Sequence, residues 1–356
     1  MRGGVPTSAR APSDTVTVGA VSRDDAGWDR FVRAQVGWTH FHLLGWRRVV
    51  EDVFGHECLS LVARDAAGTV EGVLPLVRVR SHLFGHYLVS MPFVNYGGPL
   101  GSTRAVQALT AAACARARAD GADLLELRSR VPLPLDLPVS HRKITVVLDL
   151  PSGDADPLWQ ALGSKVRSQV KRPRKEGVKV RFGPDEVGSF YEVFARHMRD
   201  LGTPVLPRRF FTTLLEVFPD DVRVACAYLR GQPVACGFGF RWDDEIEITW
   251  ASSLLEHKRI APNMLVYWDF MERCVAERVR VFNFGRCTPG GGTHRFKRQW
   301  SDARDEVLHW YHEGVGRRAS TPSPDDGAYT WGPRIWRRLP LPLATALGPH
   351  IVRNIP

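Results

Sequence analysis

Between Asn283 and Trp300 the chain reads Asn-Phe-Gly-Arg-Cys-Thr-Pro-Gly-Gly-Gly-Thr-His-Arg-Phe-Lys-Arg-Gln-Trp. Three consecutive glycines, Gly290 to Gly292, free the backbone to bend and to aim N–H groups outward. Arg286, Arg295, Lys297 and Arg298 bracket them. Guanidinium and ammonium groups hold oxyanions through charge-assisted hydrogen bonds. The stretch therefore reads as an anion-binding loop, with a plain solvated loop as the alternative. Thr288 sits in the same loop as a candidate substrate contact. Cys287 would be a nucleophile only beside a base, and no histidine stands at an evident pairing position.

A second concentration of charge lies between Lys165 and Arg181, with eight basic residues and one acid. It is either a solvated helix face or a contact for phosphate or nucleic acid, with Lys165, Arg167 and Arg172 as candidates. No aromatic residues interleave with the charges, which favours backbone contacts over base stacking. Asn263 and Tyr267, four apart, share one helix face and are placed to orient a substrate, although Asn263 also suits a helix cap. Glu245, Glu247 and Asp269 are candidate general bases, against the commoner reading of exposed carboxylates. Gly237-Phe238-Gly239 lacks the third glycine of a dinucleotide loop. Gly290 to Gly292 is not followed by Gly-Lys-Ser/Thr, as a nucleotide-triphosphate loop requires. His82 and His86 read as strand residues rather than helical metal ligands.

The elements that hold these residues repeat. A helix is expected after Thr39, then strands Cys58–Arg64, Thr69–Arg80 and His82–Met91, helix Thr103–Ala119, and strands Asp123–Arg128 and Lys143–Leu150. Helix Pro207–Phe218, strands Asp221–Leu229, Val234–Trp242 and Glu245–Ala251, a helix opened by Pro262, and strands Arg280–Phe284 and Arg304–His312 follow in the same order. The pattern predicts an α/β (α+β) fold duplicated in tandem, with mixed sheets flanked by helices. The units span 15–150 and 151–314, after a disordered lead-in at 1–14. The second begins with a helical stripe through Leu158, Trp159, Leu162, Val166 and Val170, which Pro173 is expected to end near Arg172. Residues 315–356 form a linker and a Trp/Arg/Pro-rich tail, which either packs on the body or lies at a membrane interface.

Composition fits a soluble globular protein: 356 residues, 44% hydrophobic, 24% charged, with six scattered cysteines. No apolar run is long enough to span a bilayer. The cysteines form no C-x-x-C pair and suit reduced thiols in a cytosolic protein. The net charge of +10 favours anionic partners.

Four segments together resemble the Fem family of aminoacyltransferases, which is built from two GNAT (N-acetyltransferase-like) domains. They are Asn95-Tyr96-Gly97-Gly98-Pro99-Leu100, Lys165 to Lys171, Met198-Arg199-Asp200-Leu201-Gly202-Thr203-Pro204, and Phe282 to Trp300 with Pro262 to Trp268 upstream. The likeness is greatest to FemAB-like proteins of exosortase (PEP-CTERM) and exopolysaccharide gene clusters, and runs from about residue 20 to the end. It implies an acyltransferase that moves an aminoacyl or acyl group to an amine, forming an amide. The implied acceptor is a diphosphate-bearing peptidoglycan, envelope or polysaccharide precursor. In the family's cell-wall members the donor is aminoacyl-tRNA; acyl-CoA or an acyl carrier protein is the further alternative, and no tightly bound cofactor is expected. The implied place is the cytoplasm or the inner membrane surface. In the family's Phe-Lys-x-x-Phe/Trp motif the lysine neutralises charge, and here that is Lys297, with Arg286 as a second clamp. Asn95, Tyr96, Arg199 and Thr203 enter as substrate contacts on the same resemblance. The CoA loop of acetyl-CoA-using GNAT domains has no glycine here, at Glu256 to Pro262. A catalytically idle duplicate that holds RNA or a phosphate carrier is the competing reading.

Overall fold

The computed structural model describes residues 16–22, 25–81, 84–314 and 332–355. The expected lead-in at 1–14, His82, and the linker at 315–329 lie outside the described residues. Three sheets form the body. The first has four strands, in the order Thr17–Ala20, Leu61–Arg64, Val70–Leu74, Leu100–Gly101. The second has six: Glu57–Cys58, Val77–Ser81, Gly85–Val89, Leu124–Ser129, His309–Gly314, Val139–Ser140. The third has seven: Lys179–Phe182, Val222–Leu229, Gln232–Trp242, Glu245–Ser253, Val281–Cys287, Ile144–Asp149, Arg304–Val307.

Two parallel pairings mark the repeat. Gly85–Val89 pairs with Leu124–Ser129 across helix Thr103–Ala119, and Glu245–Ser253 pairs with Val281–Cys287 across helix Pro262–Ala276. Each is a strand–helix–strand crossover, which parallel neighbours require. Ser102 caps the first of these helices by accepting from the Ala105 N–H. The second starts at Pro262, where the missing N–H is no loss.

Each half lends a strand to the other. Ile144–Asp149 lies between Val281–Cys287 and Arg304–Val307, and His309–Gly314 lies between Leu124–Ser129 and Val139–Ser140. The expected single strand Arg304–His312 therefore divides at Leu308, which is fully buried and whose N–H donates to Lys143 O at 3.0 Å. The expected strand Thr69–Arg80 divides likewise, because Pro75 has no N–H to continue a ladder. Its two parts enter different sheets. Cys58–Arg64 becomes Glu57–Cys58 and Leu61–Arg64. Thr39 caps a short turn, His40–His42, rather than helix Trp46–Phe54.

The helical stripe from Leu158 to Val170 is two helices, Asp156–Ala161 and Ser164–Lys175, and the basic stretch runs along the second into strand Lys179–Phe182. Pro173 does not end the second. It sits in the last turn with its ring buried, where few further bonds are lost. Helix Val187–Leu201, which the sequence reading lacked, buries Phe190, Val193 and Phe194 and stops at Gly202, φ +80°. The tail packs on this helix through Leu341–Val352. Arg199 donates to Leu339 O and Arg337 to Leu201 O, both at 3.2 Å.

Candidate active site

Strands Glu245–Ser253 and Val281–Cys287 stay paired over only three positions, Glu245 to Glu247 against Val281 to Asn283. Beyond Asn283 they diverge. Gly285 takes φ +74°, and a Cβ there would meet Ile248 O at 2.9 Å. The ladder's loss leaves a groove of about 310 Å³. Its walls are Ala251 to Leu255 at the end of one strand, Asn263 and Tyr267 from the crossover helix, and Gly292, Thr293 and Phe296 from the short helix Gly292–Arg298. His197 and Lys258 complete it.

His197, missed in the sequence, donates to or accepts from Ser252 Oγ through Nδ1 at 2.9 Å. Burial lowers its pKa, against the opposing charge of Asp200, so the imidazole is neutral at pH 7. Tyr267 packs among Phe284, Phe296 and Trp300, and burial raises its hydroxyl pKa. Asn263 and Tyr267 thus do share one wall.

Lys297 points inward from the short helix and is 4% exposed. Its Nζ donates to Gly285 O at 2.5 Å and Arg286 O at 3.0 Å. Burial lowers its pKa to about 8. Arg286 lies over the Trp310 ring at 5.3 Å, and burial, then repulsion from Arg128, lowers it to about 10. Lys143 Nζ donates to Thr288 Oγ1 at 2.7 Å. These residues open a second hollow of about 350 Å³, which meets the groove at Gly292 and Thr293. Cys287 is buried with its thiol pKa raised by burial, which disfavours a thiolate.

Several expected contacts are elsewhere. Asn95 and Tyr96 are buried, and both donate to Glu247: Asn95 Nδ2 to Oε1 at 2.5 Å and Tyr96 OH to Oε2. Neither lines the groove. Glu245 and Glu247 are not exposed carboxylates, because the first half covers that face of the strand. Glu245 pairs with Arg130 at 2.7 Å, and Glu247 is fully buried. Asp269 pairs with Arg174 at 2.7 Å. Arg199 is bound by Asp200 and the tail, and Thr203 N donates to Met198 O. Within the basic run Arg167 reaches Gln160 O and Lys171 the Trp159 ring. Arg172 donates to Arg259 O beside Lys258, at the groove's outer end. Lys165 is exposed. Among the described residues no group of three or more His, Cys, Asp or Glu is placed to hold a metal, and no helix is long and apolar enough to cross a membrane.

Residues 164–298 match the family model described as an acetyltransferase (GNAT) domain. No curated protein matches the sequence. Among solved structures the fold is similar to FemX, at 12% identity and a TM-score of 0.61, covering 84% of this chain and 98% of that one. It is similar to the C-terminal domain of a putative lysylphosphatidylglycerol synthetase from Agrobacterium fabrum, at 12% identity and 0.54, covering 80% and 90%. L-PGS from Bacillus licheniformis gives 12% and 0.53, covering 94% and 97%. At such identities the likeness is one of fold. The GNAT acetyltransferase domain at residues 164–298 supports an acyltransferase, and the fold as a whole is similar to that of FemX across most of its length.

Proposed function

We propose that this protein forms an amide by moving an aminoacyl or acyl group to an amine on a cell-envelope, peptidoglycan or exopolysaccharide precursor. The observation that carries the reading is the groove at the diverging strands, where a neutral His197, Asn263 and Tyr267 converge beside a buried Lys297. The Fem-like fold supports the amide-forming class, and the exosortase or exopolysaccharide setting follows from the resemblance of the quoted segments.

In this mechanism the donor carbonyl lies in the gap between the strands. The acceptor nitrogen attacks it, and a C–N bond forms as the carbonyl π bond opens. His197 takes the proton from the nitrogen and returns it to the departing oxygen or sulfur as the old acyl bond breaks. Lys297 and Arg286 stabilise the negative charge that develops on the way. Asn263 and Tyr267 orient the acceptor, and holding two reactants together supplies much of the remaining rate. Lys258 on the groove wall and Arg172 and Lys165 outside it are contacts for a polyanionic donor.

Purified protein is to be incubated with labelled aminoacyl-tRNA or acyl-CoA and with amine-bearing precursors, and amide formation followed by mass spectrometry. One donor is expected to give transfer that His197→Gln slows by about 100-fold. Transfer unchanged in that variant would remove His197 from the reaction, and salt-sensitive RNA binding with no transfer would favour the idle duplicate.

The tail fits a membrane surface. Helix Leu341–Val352 packs by Ala344 and Gly348 and turns Leu343 (50%) and Leu347 (48%) outward, and Ile335 (54%) is exposed as well. Arg334, Arg337 and Arg338 are exposed beside them, with no acid in 332–355. Vesicles rich in phosphatidylglycerol are expected to sediment the protein and neutral vesicles to leave it in solution. Changing the three arginines to glutamine should weaken binding by roughly fivefold each.

A further inference from the structure

The hollow beside the groove has a composition that the transfer reaction alone does not require. Lys143, Arg286, Cys287, Thr288 and Thr293 line it with two glycines, and no carboxylate does. Lys143 comes from the end of the first half, Arg286 and Cys287 from the end of strand Val281–Cys287, and the rest from the loop and helix start that follow it. Among the described residues the Arg286 guanidinium makes no hydrogen bond or ion pair, and it lies over the Trp310 ring. The Arg128 and Arg142 guanidiniums also lie over that ring, at 4.7 and 5.4 Å, so positive charge accumulates there. Of the two carboxylates whose charge acts on Arg286, Glu126 is taken by Arg128 at 2.7 Å and Glu247 by Asn95, Tyr96 and Thr249. A largely buried guanidinium without a bonded counter-ion of its own is costly, and a ligand that supplies one reduces that cost.

We infer that the hollow between Lys143, Arg286 and Thr288 binds a phosphoryl group of one substrate, next to the acyl groove. Two full positive charges suit a dianion better than a single carboxylate. Two threonine hydroxyls and the Gly292 N–H add donors to match its several oxygens, the Gly291 N–H being given to Thr288 O. The hollow and the groove meet at Gly292 and Thr293, so a phosphate held here lies at one side of the reacting carbonyl. The inference depends on the proposed reaction only for which substrate carries the phosphate.

The test is calorimetric titration of the full chain with inorganic pyrophosphate. The parent is expected to bind it. Lys143→Gln and Thr293→Val should weaken binding by on the order of 10-fold or more, and Lys143→Glu should abolish it. Uridine diphosphate and coenzyme A form two further arms. The one whose affinity falls with Lys143→Glu identifies whether acceptor or donor brings the phosphate. No pyrophosphate binding by the parent, or equal binding by all folded variants, overturns the site. Because binding is read without turnover, Lys143-dependent binding in a chain that transfers nothing would refute the reaction and keep the site. Transfer without such binding would do the reverse.

Discussion

Replacing Lys297 with methionine is expected to reduce transfer by two to three orders of magnitude while the chain still folds. Loss of one preorganised donor at a developing oxyanion has an effect of about that size. The side chain is held by two carbonyl oxygens, Gly285 O and Arg286 O, at the point where the strands part. Methionine keeps the unbranched shape and the packing and removes the charge. The readout is kcat with the donor that gives turnover, and near-ultraviolet circular dichroism confirms the fold. Full turnover in a folded Lys297→Met chain would exclude the lysine from the chemistry.

The same residue fixes a pH dependence. Its pKa lies at about 8 against 10.5 for an ordinary lysine, mainly because burial disfavours the charge. If the ammonium form acts, kcat falls as pH rises through about 8, and an unperturbed lysine would show that fall only above pH 10. Stability moves the other way. Between pH 8 and 10.5 the unfolded chain holds the proton that the folded chain has lost, so stability rises with pH across that window. Below pH 8 the full penalty is present. Relative to Lys297→Met, the gain over the window is about 3 kcal/mol. Urea unfolding of the two proteins at pH 7.5 and 10.5 measures it.

Much of the frame was legible because local rules and tertiary structure agree. Helix Thr103–Ala119 has the bounds expected from its alanine-rich run, and Pro262 opens its helix. Residues Lys143–Leu150 and Arg304–His312 read correctly as strands, but alternation says nothing about which sheet receives them. The first, and the His309–Gly314 part of the second, cross to the other half through contacts far along the chain. Glu245 and Glu247 alternate with Ile246 and Ile248 as a half-solvated strand would. Only the covering first half makes both faces buried. Asn95 and Tyr96 stood out as a segment, yet their partner, Glu247, is more than 150 residues away. His197 and Lys143 carry no motif that marks them, since one lies within a helix between ordinary residues and the other ends a short basic run before a strand.

That long-range partner defines the other large effect. Glu247 accepts from Asn95, Tyr96 and Thr249, the last at 2.9 Å, and Tyr96 in turn accepts from Asn283 Nδ2 at 3.0 Å. Asn283 also donates to Glu245 at 2.8 Å, and Glu245 pairs with Arg130, so one network runs from the first half to the apex of the groove. Burial raises the Glu247 pKa, and the bonds from Tyr96 and Thr249 oppose that rise. Glu247→Leu leaves three donors buried without an acceptor and should cost about 3–5 kcal/mol. Glu247→Gln keeps the volume and one oxygen, at about 1–3 kcal/mol. Urea midpoints at constant slope give both values. Combining Glu247→Gln with Tyr96→Phe should cost less than the sum of the two, because the phenol and the carboxylate satisfy each other. The network also sets the register of Glu247 against Asn283, where the strands part, so Glu247→Gln should lower kcat as well as stability. A Glu247→Leu chain as stable as its parent would show that the two halves are held by apolar packing alone. The buried carboxylate would then have no structural role, and a direct part in proton transfer would become the reason to keep it.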